Sequence, residues 1–212
     1  MKGRPAADPA MSDSLLAARL FTLEPTKLGG IVLRGSGPVR DRLLELMVAE
    51  LALTGPVRRM PINTDTEQLL GGLDLTETLK CGRAVQRQGL LEQAAGGVVI
   101  VSMAERTAAD VAAHLAQAMD HREIAVILLD DGIETDEAPP AVLLERAAFH
   151  CDLSVVRTLD FELPSAAGVG PPAGALTKRQ RQAIAITAAA LGVHSMRPAL
   201  MAGHCARISA AF

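Results

Sequence analysis

The chain has 212 residues, 49% of them apolar, and a formal net charge of −3 from 21 basic and 24 acidic side chains. That balance supports a packed core, excludes a disordered chain, and leaves no electrostatic footprint for nucleic acid. Four Phe with neither Trp nor Tyr exclude an aromatic platform for stacking bases.

From the N-terminus, residues 1–11 mix Lys, Arg, Asp and Pro and contain no apolar signal core. The apolar run 30–33 predicts a first strand, which leads through Gly35-Ser36-Gly37 into an amphipathic helix over 39–53. Residues 61–93 are less regular. Gly71-Gly72, Gly82 and Gly89 punctuate them and predict loops or a hairpin inserted into the core. Val- and Ile-rich runs at 97–103, 124–129 and 153–156 predict further strands buried on both faces, with helices over 107–119 and 142–149 between them. This alternation defines an α/β fold with a parallel sheet and flanking helices. Pro, Gly, Ala and Ser accumulate up to Ala175 and read as a linker. A helix follows with Thr177 as its N-cap, and a second runs from about Arg197 to Ala211. The expected organisation is an α/β core over 1–160 with an insertion at about 61–93, a linker over 161–175 and a small all-α lid over 176–212. The longest uncharged helical stretch, 183–193, is too short to span a bilayer, which takes about 20 residues.

The turn after the first strand has the outline of a phosphate-binding loop. In a working loop a Lys and then a Ser or Thr close the turn, the Lys on phosphate and the hydroxyl on Mg²⁺. Here Pro38 and Val39 stand in those places, and Pro brings no N–H to help cradle phosphate. A hydrolysing site also needs a second strand that ends in acids, whereas the run 98–101 ends in Ser102-Met103. Glu105 faces the same way only if the chain stays extended, and otherwise it begins the next helix. Losing one preorganised group costs about 10²–10³ in rate, and here the lysine, the hydroxyl and both carboxylates are missing together. Gly35, Ser36, Gly37, Pro38, Val39, Ser102 and Met103 therefore define a degenerate nucleotide site, and hydrolysis by this chain alone is not expected.

Arg146 closes Leu143-Leu144-Glu145-Arg146 ahead of the last expected strand. A ring-forming NTPase presents an arginine there to its neighbour's γ-phosphate, a contribution of about 10³–10⁵ in turnover. The alternative is a surface pair with Glu145 or Asp152, contributing a few tenths of a kcal/mol. Arg197 is a second candidate contact, from the lid, with a solvated arginine at a helix start as its alternative. His114, His121, His150, His194 and His204 show no metal-ligand pairing. The acidic run 130–137 lacks the spacing of a calcium loop and reads as a solvated turn. Cys81, Cys151 and Cys205 read as reduced thiols of a cytoplasmic protein.

Taken in order, these segments resemble the AAA+ subunits of magnesium chelatase, the D-type subunit in particular. The resemblance is carried by Glu24-Pro25-Thr26-Lys27-Leu28-Gly29-Gly30-Ile31-Val32-Leu33, by Leu70-Gly71-Gly72-Leu73-Asp74-Leu75, by Gly89-Leu90-Leu91-Glu92-Gln93-Ala94-Ala95-Gly96-Gly97-Val98 and by Leu143-Leu144-Glu145-Arg146. It covers roughly residues 15–212. It implies an AAA+ P-loop-type sheet with a helical lid. It also implies a hetero-oligomeric ring in which an I-type subunit is the active ATPase and a D-type subunit carries a degenerate module. In the family this ring works with a large porphyrin-binding H subunit and uses ATP to insert Mg²⁺ into protoporphyrin IX, a ligase-type step that leads to chlorophyll and bacteriochlorophyll.

The resemblance places Pro38, Val39, Ser102 and Met103 where the active subunit carries Lys, Ser or Thr, Asp and Glu. It puts Ile133 or a neighbour near the polar sensor, Arg146 at the arginine finger and Arg197 at the second sensor. No resident cofactor is implied, and ATP with Mg²⁺ would be met only at the interface with the partner. D-type subunits continue into an acidic, Pro-rich linker and a metal-binding integrin-like domain. This chain stops at Phe212 without an Asp-X-Ser-X-Ser motif, so it is expected to be an N-terminal fragment. The resulting expectation is a cytoplasmic, non-hydrolysing AAA+ module. Two alternatives stay open: a divergent hydrolase using Glu105 and the backbone of Gly35–Gly37, or a scaffold that binds no nucleotide.

Overall fold

The computed structural model describes residues 9–134, 136–166, 170, 174–193 and 195–211. Residues 1–8, Thr135 of the acidic run, 167–169 and 171–173 of the expected linker, His194 and Phe212 lie outside the described residues.

Helices α1 (Pro9–Leu23) and α2 (Pro25–Leu28) lead into β1 (Gly30–Arg34), α3 (Pro38–Leu51) and β2 (Val57–Met60). The insertion comprises α4 (Thr66–Leu70), β3 (Gly71–Leu73), α5 (Leu75–Cys81), β4 (Gln86–Gln88) and α6 (Leu90–Gln93). There follow β5 (Val98–Val101), a 3₁₀ turn (Ala104–Arg106), α7 (Ala109–Asp120), β6 (Ala125–Asp130), α8 (Ala141–Leu144) and β7 (Phe149–Asp152). Two helices, α9 (Lys178–Ala190) and α10 (Met196–Ser209), complete the described chain.

Five strands form a parallel sheet in the order β2-β5-β6-β1-β7. Successive side chains of a strand point to opposite faces, and here both faces are covered. Ile31, Leu33, Val98, Ile100, Ile127 and Leu129 pack with Phe21 of α1 and Leu43 and Met47 of α3. Val32, Val99, Val101, Val126 and Leu128 pack with Val111, Leu115 and Met119 of α7. That three-layer arrangement is why the central strands read as unbroken apolar runs.

The edge strands depart from the sequence expectation. β2 reads Val-Arg-Arg-Met with only Met60 buried, and the sequence reading had no strand there. The last strand lies at β7, ahead of the expected 153–156, because only Cys151 of its four residues is buried and no apolar run marks it. Leu153 and Val156 do bury, in the turn that follows. The helix expected over 142–149 is the single turn α8, after which the chain extends into β7. In the region expected as an insertion, β3 and β4 pair antiparallel and are joined through α5. Asp65 caps α4 by accepting from the Gln68 amide at 2.7 Å, and Asp74 caps α5 through the Glu77 amide at 2.9 Å.

Thr177 caps α9 in a reciprocal box with Gln180. α10 packs on α9 and reaches α1 and α2, burying Ile208 in the core shared with the sheet. Among the described residues no helix is long and apolar enough to cross a membrane.

Candidate functional site

All five strands are parallel, so the sheet has one edge of strand C-termini and one of strand N-termini. The candidate residues divide between them.

The degenerate loop lies at the C-terminal edge. Gly35 has φ 96°, and a Cβ there would stand 2.8 Å from the Ser154 amide nitrogen, so only glycine fits the bend. Its own N–H donates to the Asp130 carbonyl at 3.0 Å. Gly37, with φ 113°, precedes α3 and brings no capping side chain. Pro38 starts α3, a position that suits its fixed φ but supplies no donor. Val39 is buried in the core cluster, so an apolar contact occupies the place of a metal-binding hydroxyl.

On the neighbouring strand ends, Ser102 Oγ accepts from Arg59 Nη1 at 3.4 Å, and Met103 sits in the left-handed region with φ 49°. The chain then coils into the 3₁₀ turn, so it is not extended at Glu105. The Glu105 side chain is buried, and its Oε2 accepts the Asp131 amide at 3.1 Å.

Four charged groups lie beside the loop: Arg34 and Arg40, which carry no sequence signal, and Asp130 and Asp131, which open the acidic run. Arg34 reaches Asp130 Oδ2 at 2.9 Å and the carbonyls of Glu134 at 3.0 Å and Glu137 at 3.2 Å. Arg40, in the first turn of α3, is paired with Asp131, while its Nε has no partner among the described residues. Asp130 is 2% exposed, so the start of the acidic run is a buried strand end and not a solvated turn. Ile133 is 88% exposed and contributes nothing to this edge; Asp130 and Asp131 hold the strand-end positions. The two Arg–Asp pairs neutralise each other. With Val39 in the core, Ser102 on Arg59 and Glu105 committed to an amide, the residues here do not fit a magnesium–nucleotide. Among the described residues no cluster of His, Cys, Asp or Glu is placed to hold a metal ion.

Arg146 and Arg197 lie at the opposite edge, about 15–20 Å away along a strand of this length. They meet on one carboxylate. Arg146 Nη2 donates to Asp120 Oδ2 at 2.6 Å, and Arg197 Nη1 donates to Asp120 Oδ1 at 2.6 Å. Arg146 Nη1 also donates to the Val142 carbonyl at 2.8 Å, and its Nε is buried without a partner among the described residues. The Glu145 or Asp152 pair considered for Arg146 is replaced by this one. The Arg146 hydrogen bond, and then that of Arg197, outweigh burial and hold the Asp120 carboxyl below its ordinary range.

A cavity of about 720 Å³ opens beside the pair, between the core and helices α9 and α10. Lys27, Arg122 and Arg181 also line it. At its rim His204 of α10 meets Glu24 at 2.5 Å, and Lys27 meets the same Glu24 at 2.8 Å. No local signal marks Asp120, which is 26 residues from one arginine and 77 from the other.

No family model matches the sequence. The chain is 37% identical over 200 residues to the magnesium-chelatase 60 kDa subunit of Rhodobacter capsulatus, across 91% of this chain and 35% of that protein. It is 35% identical over 204 residues to the 60 kDa subunit of Cereibacter sphaeroides, across 92% and 36%. The match to the magnesium-chelatase 67 kDa subunit of Chlorobaculum parvum is 30% over 126 residues, across 59% and 20%. The chain thus spans about a third of the length of the 60 kDa relatives.

Among solved structures, a putative ATPase from Cytophaga hutchinsonii superposes with a TM-score of 0.60 at 14% identity, over 95% of this chain and 74% of that one. A chain from the complex between subunits BchI and BchD of magnesium chelatase gives 0.51 at 16%, over 70% and 59%. These two likenesses establish the α/β fold.

Proposed function

The chain is homologous to the magnesium-chelatase 60 kDa subunit over about nine tenths of its own length, and from that premise we propose that it is a non-hydrolysing AAA+ module of a magnesium chelatase. It assembles with the ATPase-type I subunit in a cytoplasmic hetero-oligomeric ring. It meets the porphyrin-binding H subunit only through that ring, and it supports ATP-driven insertion of Mg²⁺ into protoporphyrin IX. Residues 1–160 act as the core, 176–212 as a lid and 161–175 as the linker between them.

The observation that carries this reading is the contrast between the edges. The loop edge closes its turn with Pro38 and the buried Val39 and ties Asp130, Asp131 and Glu105 into internal contacts, while the other edge holds Arg146 and Arg197 within reach of one anion. Nucleotide bound on the partner supplies the phosphoanhydride. This chain supplies planar guanidinium donors, which suit phosphate oxygens better than an ammonium does. Arg146 is the group presented to the γ-phosphate, and Arg197 adds a contact from α10.

The test is magnesium-dependent ATP turnover by the I-type subunit with and without this chain, and by the chain alone. The chain alone is silent, and Arg146→Ala lowers the partner's stimulated turnover by about 10³, the low end for a trans-acting arginine, while co-elution with the partner is unchanged. Full turnover with Arg146 and Arg197 both changed to Ala would leave only a scaffold. Turnover by the chain alone would point to a divergent hydrolase and to Glu105.

A further inference from the structure

Asp120 is the last residue of α7, where the helix dipole disfavours negative charge, and the last turn of α7 contains no basic residue to offset it. Its counter-charges come from two separate parts of the chain, Arg146 just after α8 and Arg197 on α10. Each carboxylate oxygen takes one guanidinium at 2.6 Å, a short charge-assisted contact. Asp120 is also the only acid among the described residues that line the 720 Å³ cavity, against six Lys and Arg. That volume falls in the range of small-molecule sites and far exceeds what one carboxylate fills.

We propose that Asp120 is a placeholder for phosphate: it holds Arg146 and Arg197 as a pair in the free chain and yields both to the terminal phosphates of a nucleotide carried by a neighbouring subunit. This rests on the reading that Arg146 faces such a nucleotide. A polyphosphate tail has more charge and more acceptor oxygens than one carboxylate, so the exchange runs forward once a neighbour docks. Until then the internal acid keeps the guanidiniums at a common spacing and competes with stray anions. Asp120 is therefore a positioning residue. Because one of its arginines sits in the core and the other on α10, it also sets the lid at the distance the pair requires.

The test uses inorganic tripolyphosphate, titrated calorimetrically into the purified full chain without any partner. Asp120→Asn keeps the side-chain shape and removes the competing charge, so affinity should rise by about tenfold over the wild type at low salt. The gain should vanish when Arg146→Ala and Arg197→Ala are added. Thermal melting establishes that each variant is folded, and Asp120→Ser, with the same expected gain, replaces the Asn variant if that one fails to fold. Equal or weaker binding by the folded Asp120 variants overturns the proposal, as does a gain that survives loss of both arginines. The underlying reading is tested separately, by the partner's turnover with the wild-type and Arg146→Ala chains. A tripolyphosphate gain with no change in that turnover would sink the neighbouring-nucleotide reading and leave the carboxylate exchange standing.

Discussion

Replacing Asp131 with Ala should destabilise this chain more than replacing Arg40 with Met, although each change removes the same ion pair. Arg40 is 9% exposed in the first turn of α3, with its guanidinium against Asp131 and a second acid, Asp41, 3.6 Å away. Asp131 keeps 27% of its side chain in solvent. Removing the acid leaves a buried cation poorly compensated, a loss that runs to about 3–5 kcal/mol for a fully buried pair. Asp41 and water at the vacated position reduce this to about 2–3 kcal/mol. Methionine in place of Arg40 retains the apolar stem and leaves a carboxylate that water already reaches, at a cost of about 0–1 kcal/mol. The assay is urea unfolding followed by far-ultraviolet circular dichroism, since the chain has no Trp. With a denaturant slope of about 2–3 kcal/mol/M, Asp131→Ala should lower the midpoint by about 1 M and Arg40→Met by less than about 0.5 M. A midpoint loss for Arg40→Met as large as that for Asp131→Ala would refute the claim that Asp131 serves to neutralise a buried arginine beside the loop.

Installing the missing loop residues, Pro38→Lys with Val39→Thr, should give no magnesium-dependent ATP turnover. The acids expected after β5 remain absent, with Ser102 and Met103 in their place, at a cost of about 10²–10³ each, and phosphate release above the wild-type background would contradict this. Iodoacetamide should label exposed Cys81 in the native chain well before Cys151 and Cys205, whose thiols burial pushes up to about 11; peptide mass spectrometry reads the order. Acid should loosen α10 from the core. Asp120 is held below its ordinary 3.8 chiefly by Arg146; in Glu24 burial is outweighed by Lys27 and His204, which hold it below 4.5. Both carboxylates therefore contribute stability above those ordinary values and lose it as the pH falls through them toward the lowered ones. Amide exchange in α10 should accelerate relative to β6 between about pH 5 and pH 3, and equal acceleration in both would argue for global unfolding instead.

The central strands were legible because burial on both faces removes every polar residue from the run, as in Val98–Val101. The edge strands were not, since one open side lets Arg58 and Arg59 into β2 and His150 and Asp152 into β7. α1 escaped notice for a related reason: its buried residues include Ser14 and Arg19, which blur the apolar face. The loop could be read because its residues are contiguous and its missing chemistry is local. Its replacement, by Arg34 with Asp130 and Arg40 with Asp131, needed the register of β1 against β6, which sets Arg34 opposite Asp130. The acidic run looked solvated because charge density is a composition signal, whereas burial of Asp130 depends on where the strand ends.

A parallel sheet separates two kinds of chemistry by the length of its strands. At the C-terminal edge, loops and the start of α3 can surround a bound nucleotide, and there this chain holds two mutually neutralised pairs. At the N-terminal edge, the residues just before β6 and β7 project toward whatever packs beneath, and there it holds a cationic cavity. The sheet core, with Ile31, Leu33, Ile127 and Leu129, lies between them. Changes that silence the first edge therefore impose no structural demand on the second. Under the proposed function, a subunit without catalysis of its own still presents Arg146 and Arg197 to a neighbour. If the proposed assembly holds, such a subunit adds no turnover of its own to a mixed ring, and its influence would be read in the partner's rate.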